Sequence, residues 1–353
     1  SLRFGLFVVL RTATPPARTR LIIFLAELLE KEGIWMNKTI AALFLTCLFQ
    51  VSVHAADRIR IGYPDPSGSF LTLPLGEKAG FFQKEGFQPE LIRIRSTVAL
   101  AALVSGEIDY QSVVAPGIAA AIRGVPVKVV ACYTPGITAA IIARPEYKSV
   151  QDLRGKTVGL NSFGGGLEST ARLMFKHLGL DPDKDLKFLA TGGIETRFAA
   201  MKQGLTAATL GSAPADFLGK KMGFVVLARA HELFSYPSSG IVVSVKRIKE
   251  RPDEVKRMIK AGIKANRHII QNRESTIQTM IGWMRIDREM AAATYDSVVK
   301  TYSDDLSLPE DGLRLLIEEG KRGAKLDRDV SFDQVVDYSL LREAQRELGI
   351  KEK

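Results

Sequence analysis

The stretch AALVSGEIDYQSVVAP, residues 101–116, is partly repeated 98 positions later as AAMKQGLTAATLGSAP, residues 199–214. The two stretches share five residues in one register: two alanines at the start, the turn glycine, and the Ala-Pro pair at the end. Each stretch predicts a helix, a turn, a short strand and a second turn. Two copies of such a unit predict two similar lobes, because a solenoid would require more copies.

Short apolar segments alternate with helical patterns on both sides of Ser149. Strands are predicted at residues 59–63, 89–95, 110–114, 127–132, 155–160, 186–190, 207–210 and 224–228. Helices are predicted at residues 76–85, 97–105, 116–123, 167–178 and 195–203, and further ones at residues 252–271, 288–300, 310–320 and 332–348. Alternation at this spacing is typical of βαβ units around a mostly parallel sheet. The predicted fold class is therefore α/β, with two mixed, mostly parallel sheets flanked by helices and a helical C-terminal region.

Two further apolar segments, residues 137–143 and 240–245, lie just before and just after the second block. One would leave the first lobe and the other would return to it, so together they predict a hinge of two crossing strands. The predicted first lobe is discontinuous and comprises residues 56–143 and 241–353, whereas residues 144–240 form the second lobe.

The first 55 residues follow a different pattern from the rest of the chain. A short basic start at Met36-Asn37-Lys38 precedes an apolar run at residues 40–49 and a small-residue cleavage site that ends at Ala55. This order is typical of a secretory signal peptide, and the apolar run is shorter than the about 20 residues that span a bilayer. We therefore expect a signal peptide at residues 36–55, a non-native extension of the gene start at residues 1–35, and a mature periplasmic protein.

The composition, 46% hydrophobic and 25% charged, is that of a soluble globular protein. The formal net charge is +10, but Lys and Arg are spread along the chain without interleaved aromatics, so we predict no nucleic-acid partner. Cys47 lies in the predicted signal peptide and leaves Cys132 alone, so no internal disulfide can form. His54 also lies in the predicted signal peptide. The other three histidines, His177, His231 and His268, show neither metal spacing nor a nucleophile motif. We predict no metal, no cofactor and no enzymatic activity, and we expect a monomer.

The segment NSFGGGLEST, residues 161–170, stands between a predicted strand and a predicted helix. It approximates the phosphate-binding pattern G-x-G-x-x-G, but the Lys-Ser/Thr pair of a P-loop is absent. Glu168 would also place a carboxylate beside bound phosphates, so we reject a nucleotide site. The glycines instead predict a loop whose backbone comes close to a small ligand, with free N–H groups from the helix that follows.

Ligands of open α/β sheets bind beyond the carboxyl ends of the strands, where this sequence concentrates small, hydroxylated and glycine residues. Several of these segments precede helices, whose free N–H groups and dipoles suit a small anion or a polar solute. The candidate ligand-binding residues at these ends are Asp65, Ser67, Ser69, Ser96, Thr97, Ala115, Pro116, Thr134, Ser162, Phe163, Gly164, Gly165, Gly166, Gly193, Ala213 and Pro214. Glu168 is a further candidate, which would either cap its helix or contact a ligand.

Four longer segments carry a more specific signal. They are RIRIGYPDPSGSFLTLPLGEKAGFFQKEGFQPELIRIRS (58–96), LVSGEIDYQSV (103–113), SVQDLRGKTVGLNSFGGG (149–166) and VSFDQVVDYSLLREAQRELG (330–349). Together they resemble ABC-transporter solute-binding proteins of the nitrate/sulfonate/taurine type, the NMT1/THI5-like branch. The chain departs from that pattern at residues 204–207, which lack the acid that the first copy has at Asp109.

The resemblance implies a two-lobed, type II-like periplasmic binding protein fold that closes on a small-molecule ligand and delivers it to an ABC permease. It implies cleft loops at residues 64–70, 96–97, 115–116, 133–134, 162–166, 193–194 and 213–214. These loops add Phe70, Tyr133 and Ile194 to the candidate residues, and Tyr236 is expected to form an aromatic wall near the hinge.

Two alternatives stay open beside the binding protein: an exported enzyme of the pyrimidine or thiamine-precursor type on the same fold, and a periplasmic sensor subunit. The Cys-rich motif of the thiamine-pyrimidine enzymes is missing here, and the predicted export argues against cytosolic biosynthesis. The sequence leaves undecided the identity and charge of the ligand, the cognate permease, and whether Glu168, Arg95 or Arg197 contacts the ligand.

Overall fold

The computed structural model describes residues 56–163 and 166–351. The predicted gene-start extension and signal peptide lie outside the described residues, as do Gly164 and Gly165 of the glycine-rich loop. The described chain contains two five-stranded sheets, with strand orders β2-β1-β3-β10-β4 and β7-β6-β8-β5-β9. The strands are β1 (Asp57–Tyr63), β2 (Phe87–Arg93), β3 (Tyr110–Val113), β4 (Val127–Thr134), β5 (Ala140–Ala143), β6 (Thr157–Leu160), β7 (Lys187–Ala190), β8 (Ala208–Gly211), β9 (Val225–Arg229) and β10 (Ser239–Ser244).

Both sheets are mixed in the same way. β10 runs antiparallel to its two neighbours in the first sheet, and β5 does so at the corresponding place in the second sheet. The other described pairings are parallel. The predicted α/β class with two mixed, mostly parallel sheets is confirmed.

The sequence repeat corresponds to equivalent parts of the two sheets. β3 and β8 begin and end 98 residues apart, and each follows a turn whose glycine has positive φ, 83° at Gly106 and 76° at Gly204. Glycine adopts this left-handed backbone at little cost, which explains its presence in both copies. The two copies therefore share a backbone plan.

The two sheets are joined by residues 135–139 and 230–238. The segments predicted as hinge strands each lie inside a sheet, since β5 pairs with β8 and β9 while β10 pairs with β3 and β4. The chain thus crosses between the sheets in the residues that precede β5 and β10. The predicted lobe boundary at Ala143 lies at the end of β5, in the second sheet. Residues 140–143 form a sheet strand rather than an exposed hinge because β5 is buried along its whole length, as is typical of a continuous apolar run inside a sheet.

Helices flank both sheets of the described chain. They are α1 (Thr72–Lys78), α2 (Phe81–Lys84), α3 (Ser96–Ser105), α4 (Val114–Ile122), α5 (Gly166–His177), α6 (Ile194–Lys202), α7 (Ala215–Lys221), α8 (Ala230–Leu233), α9 (Val245–Glu250), α10 (Pro252–Gln271), α11 (Arg273–Met284), α12 (Arg288–Val298), α13 (Glu310–Ala324), α14 (Phe332–Val335) and α15 (Ser339–Glu347). The predicted helix at residues 332–348 is divided in two, because Val336 forms a bridge with Val129. Within residues 56–163 and 166–351, no helix has both the length and the apolarity needed to cross a membrane.

The C-terminal helices complete the core around the first sheet. α10 buries Val255 and Ile259 in one cluster with Ile61 of β1. A separate cluster, built mainly from α10, α11 and α12 together with Leu71, also contacts Ala213 beyond the second sheet. Other clusters cover the second sheet itself. Each sheet therefore has its own core, and Ala213 is a point of contact between the two halves.

The turn before β3 carries an ion-pair network that the second copy lacks. Asp109 is 6% exposed and accepts hydrogen bonds from the Arg60 backbone N–H at 2.7 Å and from the Arg247 guanidinium at 2.8 Å. Arg247 also donates to the buried Glu254 at 2.6 Å. Burial alone would raise the pKa of Asp109, but hydrogen bonds from Arg60 and the charge of Arg247 hold that pKa below its usual value. The equivalent residue 98 positions later is Ala207.

Candidate functional site

Both connections between the sheets run from carboxyl edge to carboxyl edge. β1, β2 and β3 run parallel, and the antiparallel β10 begins at their carboxyl edge, where Ser239 pairs with the last residue of β3. β5 begins at the corresponding edge of the second sheet, where Ala140 pairs with the last residue of β8. Residues 135–139 and 230–238 join these two edges. The topology therefore joins the two edges at which ligands of α/β sheets bind, and we expect a ligand cleft between them.

The first predicted cleft loop is held in place by hydroxyl groups. The Tyr302 hydroxyl donates to the Gly68 carbonyl oxygen at 2.7 Å and accepts from the Leu71 N–H at 3.1 Å. The Ser239 hydroxyl, on β10, donates to the Ser69 carbonyl oxygen at 2.6 Å. The loop is thus anchored both to the C-terminal helical region and to the strand that follows a connection, so its backbone is preorganised.

The side chains of this loop differ in exposure. Asp65 is exposed, and Ser67 and Ser69 are half-buried. A solute in the cleft could reach these three side chains. Phe70, by contrast, is buried, so its ring contributes to packing rather than to an open surface.

Two residues predicted to line the cleft are in the core. Tyr133 is 1% exposed, and its ring packs on α10, where a Cβ added to Gly262 would come within 2.8 Å of the ring. Thr134 is fully buried, and its hydroxyl lies 2.8 Å from that of Ser239. The prediction for these side chains is corrected: β4 is buried up to its last residue, so its end is not an open strand end.

α3 begins at the predicted cleft residue Ser96 and continues through Thr97. Its N-cap is Arg95, which is exposed like Arg93, and its first turn contains no acid. The Val98 and Ala99 N–H groups donate to the Arg95 carbonyl oxygen, both at 2.9 Å. The N–H groups of Ser96 and Thr97 precede the first helical hydrogen bond, so they are the donors at this carboxyl edge, with positive side chains beside them. This end of α3 can therefore receive an acceptor group of a solute.

Ala115 and Pro116 belong to the first turn of α4 and not to a loop. β3 ends at Val113 and the helix begins at the next residue, whose N–H donates to the Ser238 carbonyl oxygen at 3.2 Å. The predicted loop is absent because the strand passes directly into the helix. Both residues are half-buried at the same edge of the sheet.

The glycine-rich loop brings Ser162 and Phe163 to the second edge, and both are exposed. The Phe163 side chain is 59% exposed, so a large apolar surface is available to an apolar part of a ligand. Gly166 is the first residue of α5. Glu168, in the same first turn, is buried and accepts a hydrogen bond from Arg172 at 2.8 Å. Glu168 thus complements the helix dipole and pairs with the next turn of α5.

Gly193 is the N-cap of α6, and Ile194 is its first residue. Arg197, one turn later, is 6% exposed and donates to the carbonyl oxygens of Leu210 and of Gly193, the latter at 3.4 Å. Burial lowers the pKa of the Arg197 guanidinium. Arg197 therefore joins the end of β8 to the start of α6 and adds positive charge behind this edge.

The last predicted loop, Ala213 and Pro214, leads into α7. Asp216, in the first turn of α7, accepts hydrogen bonds from Arg229 at 3.1 Å and from Ser297 of α12 at 3.0 Å. Since Ala213 also packs on the C-terminal helices, this corner joins the two halves of the molecule.

Tyr236 lies in the second connection and is half-buried. Its hydroxyl donates to Glu319 of α13 at 2.9 Å. Burial raises the pKa of Tyr236, and the Glu319 carboxylate adds to that shift. Tyr236 therefore ties the connection to α13, and its role as an aromatic wall stays a prediction.

Two cavities are lined by both halves of the molecule. One of about 720 Å³ lies between α5 and α13, with Arg172, His177 and Glu319 in its wall. The other, of about 490 Å³, lies between α7, α8 and α12, with Asp216 and His231 in its wall. None of the predicted ligand-binding residues lines these two cavities. Movement of one half against the other would change the volume of both.

Three residues that shape the first edge were not among the candidates: Gln111, Ser239 and Tyr302. Ser239 and Tyr302 are more than a hundred residues away from the loop that they hold, so no local signal could identify them. Gln111 and Ser112 are two successive polar residues inside the predicted strand 110–114, and that interruption of the apolar pattern was a usable signal.

Metal and nucleophilic chemistry have little support in the described residues. No three His, Cys, Asp or Glu side chains of residues 56–163 and 166–351 are grouped so as to hold a metal ion. Cys132 is fully buried, and burial raises the pKa of its thiol. A thiol in that setting is a poor nucleophile, because the reactive form is the thiolate.

The family model described as NMT1/THI5 like matches residues 69–276, more than half of the chain. The chain belongs to the NMT1/THI5-like family. A protein of Brucella abortus (strain 2308), provisionally named a binding protein, is 26% identical over 260 residues, which cover 71% of this chain and 80% of the relative. The region matched by the NMT1/THI5-like model contains the predicted cleft loops of both sheets from Ser69 to Pro214.

Solved structures with this fold include two periplasmic binding proteins. The aliphatic sulphonate binding protein SsuA from Escherichia coli gives a TM-score of 0.67 at 18% identity, over 80% of this chain and 92% of that chain. The nitrate-binding protein NrtA from Synechocystis PCC 6803 gives 0.65 at 17% identity, over 83% and 89%. The desulfurization enzyme DszB gives 0.63 at 14% identity, over 83% and 99%. These likenesses confirm the two-lobed periplasmic binding protein fold and show the fold alone.

Proposed function

We propose that this protein is the extracytoplasmic substrate-binding protein of an ABC importer, which captures a small solute between its two halves and delivers it to a membrane permease. The observation that carries the proposal is that both connections join the carboxyl edges of the sheets, which supports a cleft bordered by the predicted ligand loops of both halves. The binding proteins that share the fold support the same reading.

The connections have the form of a hinge. The Ala230 N–H donates to the Ala139 carbonyl oxygen at 2.8 Å, and the Tyr236 N–H donates to the Pro135 carbonyl oxygen at 2.8 Å. Two short segments bonded to each other guide a rotation of one half against the other while keeping the cleft aligned. The first lobe would then be the first sheet with the C-terminal helices, and the second lobe would be the second sheet with α5, α6 and α7.

The cleft suits recognition rather than turnover. Free N–H groups at the start of α3, exposed hydroxyls and the Phe163 ring offer hydrogen bonds and apolar contact to a solute. The single cysteine of the described residues is buried in the core, away from any open surface. The periplasmic binding proteins that share the fold and the predicted signal peptide support a periplasmic location, and a monomer acting with a permease is the expected form.

The test is a thermal-shift screen of the purified protein, stripped of bound solute by unfolding and refolding. The panel covers nitrate, sulfonates, carboxylates, hydroxy acids, pyrimidines and aromatic acids. A solute present at one hundred times its Kd should stabilise the fold by about 2.7 kcal/mol. At least one class should raise the Tm without being chemically changed. A panel that gives no shift would argue against a binding role, and turnover of a bound compound would favour an enzyme on this fold.

A further inference from the structure

Gln111 presents a buried hydrogen-bond acceptor that nothing in the described chain satisfies. The residue is 1% exposed, and its Nε2 donates to the Ser96 carbonyl oxygen at 3.5 Å, while its Oε1 has no partner. The opposite orientation of the amide would set Oε1 against that carbonyl oxygen, so Ser96 determines which atom is left over. An unpaired buried acceptor costs about 1–3 kcal/mol, which a donor at this position would recover.

The second copy of the repeat shows that the fold itself does not need this unpaired group. Thr209 stands 98 residues after Gln111 and occupies the same register, since Gly62 pairs with Gln111 and Gly159 pairs with Thr209. The Thr209 hydroxyl donates to the Gly159 carbonyl oxygen at 2.8 Å. The same strand position is therefore satisfied in the second sheet and unsatisfied in the first.

Gln111 lies beside the first turn of α3, at the edge where the predicted ligand loops meet. That turn supplies backbone donors, because its first N–H groups have no partner within the helix. It carries no acid, and Arg95 and Arg93 are exposed next to it. Donors at the helix end and an acceptor at Gln111 thus lie side by side. Oε1 has less than 1 Å² of accessible surface in this structure, so a solute with the complementary pair would reach it when movement of the halves uncovers this edge.

We propose that Gln111 accepts a hydrogen bond from an N–H or O–H group of the solute, while an oxygen of the same solute accepts from the start of α3. This rests on the proposed binding function and names its ligand class: amides, pyrimidine-diones or hydroxy acids, in which a donor stands next to an acceptor oxygen. Nitrate and alkanesulfonates offer acceptors only, so they could engage α3 and would leave Gln111 unpaired.

The first test compares matched probes on the unaltered protein by isothermal titration calorimetry. The pairs are uracil against 1,3-dimethyluracil and glycolate against methoxyacetate, with nitrate and methanesulfonate as acceptor-only probes. The donor-bearing member of at least one pair should bind about tenfold more tightly than its methylated partner, the value of one hydrogen bond to a buried acceptor. This comparison needs no variant and so does not depend on folding of a mutant.

The second test removes the acceptor. Gln111→Met and Gln111→Leu keep the side-chain volume roughly constant and should raise the Tm without solute, because the cost of the unpaired buried acceptor is removed and only a hydrogen bond of 3.5 Å is lost. Both variants should weaken the donor-bearing probe about tenfold and abolish its advantage over the methylated partner. Thr209→Val, at the equivalent position of the second sheet, is the matched control and should retain the affinity.

The possible outcomes separate the two claims. If no probe binds the unaltered protein, the binding function itself fails. If probes bind but methylation and Gln111→Met leave the affinity unchanged, or if nitrate or methanesulfonate binds as tightly as the donor-bearing probes, the binding function stands and the role of Gln111 is overturned.

Discussion

The two edges that border the cleft share a backbone plan and differ in charge. The helices that start at the first edge, α3 and α4, have no acid in their first turn. Each helix that starts at the second edge has one: Glu168 in α5, Glu195 in α6 and Asp216 in α7. Two of these acids are held by arginines, Glu168 by Arg172 and Asp216 by Arg229. An internal repeat can thus conserve strand register while assigning different chemistry to its copies.

The difference extends behind the edges. The first sheet has the Asp109 network at its opposite edge and an unpaired amide oxygen at Gln111, whereas the equivalent positions in the second sheet are the apolar Ala207 and the satisfied Thr209. Because anions are stabilised at helix N-termini that carry no competing acid, an acceptor group of the solute should be bound at the first edge. The second edge, with the exposed Phe163, would then meet the remainder of the solute.

The largest effect is expected from Asp109→Ala, which gives the first copy of the repeat the residue type that the second copy has at Ala207. Asp109→Ala removes the carboxylate and leaves Arg60 and the mostly buried Arg247 without it. Breaking such a buried network should lower the free energy of unfolding by about 3 kcal/mol, measured by urea denaturation. Solute affinity should be retained, because Asp109 lies at the opposite edge of the sheet. A loss below 1 kcal/mol would contradict the account.

The same network gives a pH dependence of defined sign. The pKa of Asp109 is lower in the folded protein than in the unfolded chain, so its stabilising contribution is present above about pH 4 and is lost as the pH falls through the folded pKa. The unfolding free energy should therefore fall on acidification below about pH 4 less steeply in Asp109→Ala than in the unaltered protein. If the unfolding free energy fell equally steeply with pH in the two proteins, Asp109 would not be the source of this pH dependence.

A smaller effect is expected when the charge pattern of the second edge is copied to the first. Thr97→Glu places an acid in α3 at the position equivalent to Glu195 in α6. It should weaken binding of an anionic probe about tenfold through repulsion at the helix start, and it should raise the Tm slightly by complementing the helix dipole. Unchanged affinity in calorimetry at low salt would contradict binding of an acceptor group at the first edge.

Removing a hydrogen bond between the two halves should have a moderate effect on the free energy of unfolding. Ser297→Ala removes the hydroxyl that α12 donates to Asp216 and leaves the pair with Arg229 in place. The loss of one such hydrogen bond should lower the free energy of unfolding by about 1 kcal/mol. Ser275→Ala, on the neighbouring helix α11, removes an exposed hydroxyl and is the control, which should change the free energy of unfolding by about 0.5 kcal/mol or less.

The smallest effect is expected from the reciprocal change at the second edge. Glu195→Gln removes an exposed acid from the start of α6 and should lower the free energy of unfolding by about 0.5 kcal/mol. Affinity for an anionic probe should rise by about twofold or less, since salt screens an exposed charge. A rise as large as the loss in Thr97→Glu would mean that the two edges contribute equally.

The sequence predicted most of the backbone because that information is local. Strand and helix positions agree within a few residues, and α10 begins and ends as predicted, since Pro252 and two acids mark its start. α11 was missed because only Asn272 separates it from the end of α10, and no glycine or proline marks the boundary.

The site was less predictable because it depends on contacts distant in sequence. Tyr133 and Thr134 stand at a strand end, yet α10 and Ser239 cover them. Whether Gln111 is satisfied depends on Ser96 and on the strands beside it, which no local pattern reveals. The repeat located the edges, and only the packed structure showed how they differ.

The central claim is that the two halves close on a solute at the facing edges. Lys84→Cys and Lys202→Cys place spin labels at exposed positions, one on each half, while Cys132 is fully buried and should not react. Pulsed electron–electron double resonance then measures the distance between the two spin labels, with and without the solute that gives the largest thermal shift. A saturating solute should shorten and narrow the distance distribution. An unchanged distribution at saturation would contradict closure of the cleft.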